Sequence, residues 1–180
     1  MDYKKFFKNK KVIVTGHTGF KGSWTALWLH SLGAKVIGIS KDESSYPSHF
    51  KSLKLRKKIK SIKLDIRNLK SLKKVIKKNE PDFLFHLAAQ ALVKKSYYDP
   101  HSTFISNSIG TLNLLNSLKN IKLKKKCSII LITSDKSYKN REINKGYVEE
   151  DLLGGHDPYS ASKACAELII KSYIESFFKK

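Results

Sequence analysis

Four side chains in the second half of the chain have the types and spacing for proton-transfer chemistry. Asp135 and Lys136 stand side by side in TSDKSY, at the end of the apolar run CSIILITS, and Tyr159 and Lys163 stand four apart in YSASK. In a helix, positions i and i+4 share a face, so the ammonium would lie near the phenol. A positive charge there favours the phenolate, and Tyr159 can then take a proton from an alcohol whose carbon gives up hydride. Asp135 and Lys136 are either solvated charges of a very basic chain or the other half of that constellation. A third feature lies near the N-terminus, where TGHTGFKG spaces Gly16, Gly19 and Gly22 as G-x-x-G-x-x-G. Glycines at that spacing between a strand and a helix allow a tight turn, a close approach of backbone to a pyrophosphate and close helix-to-sheet packing, with the phosphates facing the helix N-terminus. Gly16, Thr18, Gly19, Phe20 and Gly22 are the candidates for binding a dinucleotide there.

These residues need elements to hold them. KKVIVTG (10–16) is a short β-branched run, GSWTALWLHSLG (22–33) repeats apolar residues at helical spacing and stops at a glycine, and AKVIGIS (34–40) is a strand again. A basic lead runs directly into the first strand. A loop over 41–51 leads to a third strand near IKSIKLD, and NLKSLKKVIKKN follows as an amphipathic helix with Leu69, Leu72, Val75 and Ile76 on one side. PDFLFHLAA is a fourth strand, a helix spans about 102–119, CSIILITS is the fifth strand, and the last helix runs over about 158–178 with Pro158 in its first turn. Strands alternating with helices predict an α/β fold with a doubly wound parallel sheet, Rossmann-like, in one domain over 1–180. Ligands of such a sheet gather at the carboxyl ends of its strands.

An acidic residue at the end of the second strand would hold the adenosine ribose of NAD and repel the extra phosphate of NADP. Here Ser40 comes first, then Lys41 and Asp42, which leaves both dinucleotides open. Asp65 and Ile66 end the third strand, where they can meet an adenine. Leu87, Ala88, Ala89 and Gln90 end the fourth, where small residues let a ribose and pyrophosphate lie against the backbone; packing alone explains Ala88 and Ala89 equally well. Neither cysteine, Cys127 nor Cys165, has metal or disulfide spacing, and both are expected as buried free thiols in a cytoplasmic protein. His86 reads as a strand residue with its hydrogen bonds satisfied.

At 180 residues, with 41% hydrophobic and 11% aromatic content, the chain can bury a core. Its sequence has no run of eighteen apolar residues and no leader pattern, so no membrane span is expected. The formal charge of +21 would suit nucleic acid, but the cations are nearly all lysine, with arginine only at Arg56, Arg67 and Arg141, and they are spread along the whole chain. A solvated surface explains them, and no nucleic-acid partner is expected.

TGHTGFKG, HLAAQ, NSIGTLNLL and YSASK together resemble the extended short-chain dehydrogenase/reductase family. Within it, TGHTGFKGSW, TSDKSY and LGGHDPYSASKACAEL resemble the nucleotide-sugar 4,6-dehydratases that act on CDP-glucose. That resemblance implies bound NAD and a nucleotide-sugar substrate, CDP-glucose. It also implies roles: Ser134 hydrogen-bonds the sugar hydroxyl at carbon 4, Asp135 protonates the hydroxyl leaving carbon 6, Lys136 is the base at carbon 5, and Tyr159 with Lys163 removes the carbon-4 hydroxyl proton. Asn107 matches the family's bracing helix asparagine, and His156 fits the motif before Tyr159. Leu152 stands where this group often has proline. Members of the family are about twice this length, so the resemblance makes the chain an N-terminal part lacking the C-terminal substrate region. Association as a homo-oligomer or with a separate C-terminal half is expected of its unpaired fifth strand.

Overall fold

A computed structural model describes residues 2–43 and 46–179. The chain divides into two compact units, Met1–Ala88 with Asn120–Ile132 and Ala89–Lys119 with Thr133–Lys180.

The first unit is a five-stranded parallel sheet with its helices. The elements in chain order are α1 (Tyr3–Phe7), β1 (Lys11–Thr15), α2 (Phe20–Ser31), β2 (Lys35–Ser40), α3 (His49–Ser52), β3 (Lys60–Lys63), α4 (Leu69–Asn79) and β4 (Phe83–His86). After the excursion into the second unit, the fifth strand β5 (Ser128–Leu131) completes it. The strand order is β3-β2-β1-β4-β5, with Val12 opposite both Val36 and Phe83. The order reverses between β1 and β4, the switch point at which open parallel sheets bind ligands. Successive residues of a strand face opposite sides of the sheet, so the complete burial of Val12, Ile13 and Val14 means that β1 is covered on both faces. One side of the core gathers Val12, Val14, Ala26, Leu29, Val36 and Phe50.

The N-terminal lead is not a bare approach to the first strand, as the sequence suggested. Asp2 accepts a hydrogen bond from Lys5 N (3.1 Å) and starts the five-residue α1. Phe6 and Phe7 at its end pack on Phe83, with ring centroids 5.5 and 5.3 Å apart. The outer face of α2 carries Phe20, Trp24 and Trp28, all more than half exposed. The doubly wound reading holds, while β5 pairs only with β4 among the described residues and its Ile129, Ile130 and Leu131 are half-buried. Both cysteines are free and half-buried rather than fully enclosed, and burial pushes the Cys127 thiol up to about 11.

The second unit is helical. It contains α5 (Val93–Tyr98), α6 (Pro100–Phe104), a π-helical turn at Ile105–Ile109, α7 (Gly110–Lys119) and α8 (Pro158–Tyr173), the last followed by another π-helical turn at Ile174–Phe178. The expected helix over about 102–119 is the continuous run of α6, π turn and α7; α5 carried no expectation. Each long helix begins on a side-chain cap where the sequence offers one. Asp99 accepts from Ser102 N ahead of α6, and Asp157 accepts from Ser160 N ahead of α8, each at 3.0 Å with proline next in line. None of the helices described is long and apolar enough to cross a membrane.

Candidate functional site

In the first unit the candidate residues frame a main-chain cradle. Gly16 leaves β1 with φ +75°, and a Cβ there would sit 2.8 Å from Ala88 N. A Cβ on Gly22 would lie 2.0 Å from Gly16 O and 2.7 Å from its carbonyl carbon, so only glycine lets the first turn of α2 close on the loop. α4 begins on Asn68, whose side chain accepts from Ser71 N (3.0 Å), whereas α2 begins on Gly19 with no side-chain cap. The N–H groups of that first turn, with the positive end of the helix dipole, therefore suit an anion from outside the chain. Thr15 steadies the neighbouring strand end: its hydroxyl lies 2.7 Å from His86 Nδ1 and accepts from the N–H groups of Leu87 and Ala88 at 3.2 Å. His86 is the satisfied residue it was expected to be.

The other candidates of this unit are less free. Ser40 Oγ lies 3.0 Å from His17 Nδ1 and accepts from Thr18 N at 3.3 Å, while Thr18 Oγ1 donates to the Asp42 carbonyl (2.6 Å). His17 Nε2 is 2.7 Å from Ser61 Oγ, and burial lowers the imidazole below its ordinary value, which disfavours the charged ring. The ring fills the space a side chain would need at Gly38, where a Cβ would come within 2.3 Å of it. Asp65 accepts from Arg67 through N (2.9 Å), Nε (2.9 Å) and Nη2 (2.6 Å), so its carboxylate is held by its own loop and lies below the usual carboxylate range. Ile66 is buried, and Phe20 lies two-thirds exposed with its ring 5.3 Å from that of His49.

The second unit brings the remaining candidates onto α8. Tyr159 and Lys163 are both buried, one helical turn apart. Burial lowers Lys163 to about 8, against the pull of the Glu167 carboxylate in the next turn. Ser134 caps a short 3₁₀ turn over Asp135–Ser137 that packs against α8. Its hydroxyl accepts from Lys136 N (3.2 Å) and lies 3.1 Å from Asp135 Oδ1. Asp135 and Lys136 are exposed. Just before them Thr133 Oγ1 donates to Glu167 Oε1, tying this segment to the lysine helix.

Asn107 is 1% exposed and braces main chain. Its Oδ1 accepts from Gln90 N (2.8 Å), and its Nδ2 donates to Gln90 O (3.0 Å) and to Ser162 Oγ (2.9 Å). Ser108 Oγ donates to Ser162 O (3.0 Å), and Ser162 Oγ donates to Tyr159 O (2.7 Å). Both residues that reach Ser162 lie in the π-helical turn at Ile105–Ile109. Ala89 precedes Gln90 in this unit, half-buried. Sequence reasoning missed Glu167, Ser162 and Thr133. The signal for Glu167 was available, since Tyr159, Lys163 and Glu167 are spaced four and four on one helix; the other two needed contacts between distant segments.

The chain matches the family model described as GDP-mannose 4,6 dehydratase over residues 13–178. It is 45% identical over 175 residues to the CDP-glucose 4,6-dehydratase of Salmonella typhimurium (strain LT2), covering 97% of this chain and 48% of that protein. Among solved structures, the UDP-N-acetylglucosamine 4-epimerase of Methanobrevibacter ruminantium M1 superposes with TM-score 0.77 at 32% identity, over 95% of this chain and 52% of that one. The UDP-glucose 4-epimerase of Thermus thermophilus, solved in complex with NAD, superposes with TM-score 0.77 at 25% identity, over 93% of this chain and 52% of the other. The chain spans about half the length of the relatives it matches.

Proposed function

The chain belongs to the GDP-mannose 4,6 dehydratase family, and from that membership we propose that it is the dinucleotide-binding and proton-transfer part of a nucleotide-sugar 4,6-dehydratase, a lyase acting on CDP-glucose with NAD. The observation that carries this reading is Lys163, buried one turn after Tyr159 on α8, with the Ser134–Asp135–Lys136 turn packed on the same helix. The 45% identity to a CDP-glucose 4,6-dehydratase supports the sugar nucleotide, and the NAD complex of a structural relative supports the dinucleotide.

The cradle of Gly16, Gly19 and Gly22 fits a pyrophosphate, because the uncapped first turn of α2 lacks an acceptor that a phosphate supplies. The dinucleotide would act as a two-electron acceptor for the hydrogen at carbon 4 and return it to carbon 6, so that the reaction is redox-neutral. Ser134 holds the carbon-4 hydroxyl, and Tyr159, one helical turn before Lys163, takes its proton. The resulting ketone acidifies carbon 5, from which Lys136 removes a proton. Asp135 protonates the hydroxyl at carbon 6, water leaves, Lys136 returns its proton to carbon 5 as carbon 6 regains the hydride, and solvent carries the Tyr159 proton back to Asp135.

Incubation with CDP-glucose and NAD tests the reading: a 4-keto-6-deoxy product absorbing in alkali supports it. Product that persists in Lys136→Ala removes Lys136 as the base. The structural likeness to 4-epimerases favours a second reading, a nucleotide-sugar epimerase, which retains Tyr159 and Lys163 but gives Asp135 and Lys136 no task; an epimer without keto product would establish it. Dinucleotide binding without turnover would instead mark a binding part that acts only with a sugar-binding half. Association through the half-buried β5 edge and a cytoplasmic location belong to the same proposal, the latter supported by two unpaired cysteines.

A further inference from the structure

We infer that Glu43 sets the preference for NAD over NADP by occupying the cations that would otherwise receive a 2′-phosphate. The inference rests on the proposed dinucleotide reading and adds the residue that discriminates. At the carboxyl end of β2 the first unit has a cavity of about 330 Å³ whose lining includes four cationic side chains, Lys41, Lys51, Arg56 and Lys63, and two acidic ones, Asp42 and Glu43. A wall so rich in cations, at the sheet position where an adenosine ribose binds, would be expected to welcome an added phosphate.

The ion pairs argue otherwise. Glu43 Oε2 is 3.1 Å from Lys51 Nζ, and Oε1 is 3.2 Å from Arg56 Nη2. The Glu43 side chain is 18% exposed while its partners are 69% and 74% exposed, so the carboxylate is the sheltered anchor on which two exposed cations converge. The backbone of those partners is itself held, since Phe50 precedes Lys51 and Leu55 precedes Arg56, and both apolar side chains lie in the core. The guanidinium that would grip a phosphate with two parallel N–H bonds has a nitrogen already engaged. An incoming dianion would also meet the Glu43 charge. Ser40, the other phosphate candidate, has its hydroxyl shared between His17 and Thr18 N. The ribose hydroxyls of NAD, being neutral, meet no such repulsion.

Calorimetric titration of the chain with NAD and with NADP tests this, using the wild type, Glu43→Gln and Glu43→Gln with Arg56→Ala. The wild type is expected to bind NAD at least about tenfold more tightly than NADP. Glu43→Gln should tighten NADP by about tenfold and leave NAD within about twofold, and adding Arg56→Ala should reverse the gain. An unchanged NADP-to-NAD ratio in Glu43→Gln, a gain that survives Arg56→Ala, or a wild type that prefers NADP would each overturn the inference while leaving the dinucleotide reading intact. A wild type that binds neither cofactor would overturn that reading, and the inference with it.

Discussion

In the first unit the proposed site is main chain: the Gly16 carbonyl, the N–H groups opening α2 and the peptide of Ala88, packed so closely that Gly22 has no room for a methyl group. In the second the proposed site is made of side chains, Tyr159 and Lys163, on a helix whose first turn is tied through Ser162 to Asn107. A main-chain site is damaged by adding atoms. A side-chain site is damaged by removing them. The two units should therefore respond oppositely to the same kinds of substitution, and that contrast can be attacked directly.

The largest effect belongs to the second unit. If the proposed activity holds, Tyr159→Phe should lower turnover of CDP-glucose by about a thousandfold, about 4 kcal/mol in the barrier, with little change in melting temperature; equal losses of turnover and stability would mean that the hydroxyl is structural. Next comes the first unit, where Gly22→Ala adds one carbon 2.0 Å from Gly16 O. It should cost about 3 kcal/mol in denaturant unfolding and abolish NAD binding by calorimetry. Asn107→Ala removes three hydrogen bonds at a buried position and leaves the Gln90 peptide without that partner. About 2 kcal/mol of stability should go, again read from denaturant midpoints.

The smallest effect is a pH dependence. Lys163 sits at about 8 in the folded chain, below its ordinary 10.5, because of burial. Between those values the unfolded chain binds more protons, so the Lys163 contribution is fully present above about 10.5 and is lost as pH falls through about 8. Relative to Lys163→Met, wild-type stability should rise by about 1 to 2 kcal/mol over that window, after discounting for solvent relaxation. A difference that stays flat with pH would mean that the ammonium is not desolvated.

Local pattern carried the strands, the glycine turn and the Tyr159–Lys163 spacing, because each is set by residues a few positions apart. Helix α4 came out over Leu69–Asn79 just as its apolar stripe required. What pattern could not reach were pairings across the chain: Thr133 with Glu167, His17 with Ser61, and Glu43 with Lys51 and Arg56 across a loop. Helix α1 was hidden because two phenylalanines in a lysine-rich lead look like surface until Phe83 is known to lie against them. Helix α5 is six residues long with no side-chain cap, too short to impose a period.

The chain's two tryptophans both lie on α2, Trp24 with its ring 4.7 Å from that of His49 and Trp28 beside Tyr3 at 6.2 Å. Indole emission from this protein therefore originates entirely in the first unit, on the helix whose opening turn forms the proposed anion cradle. A change in that signal on adding a nucleotide marks an event at the sheet, whereas proton movements around Tyr159 must be followed by some other spectroscopic handle.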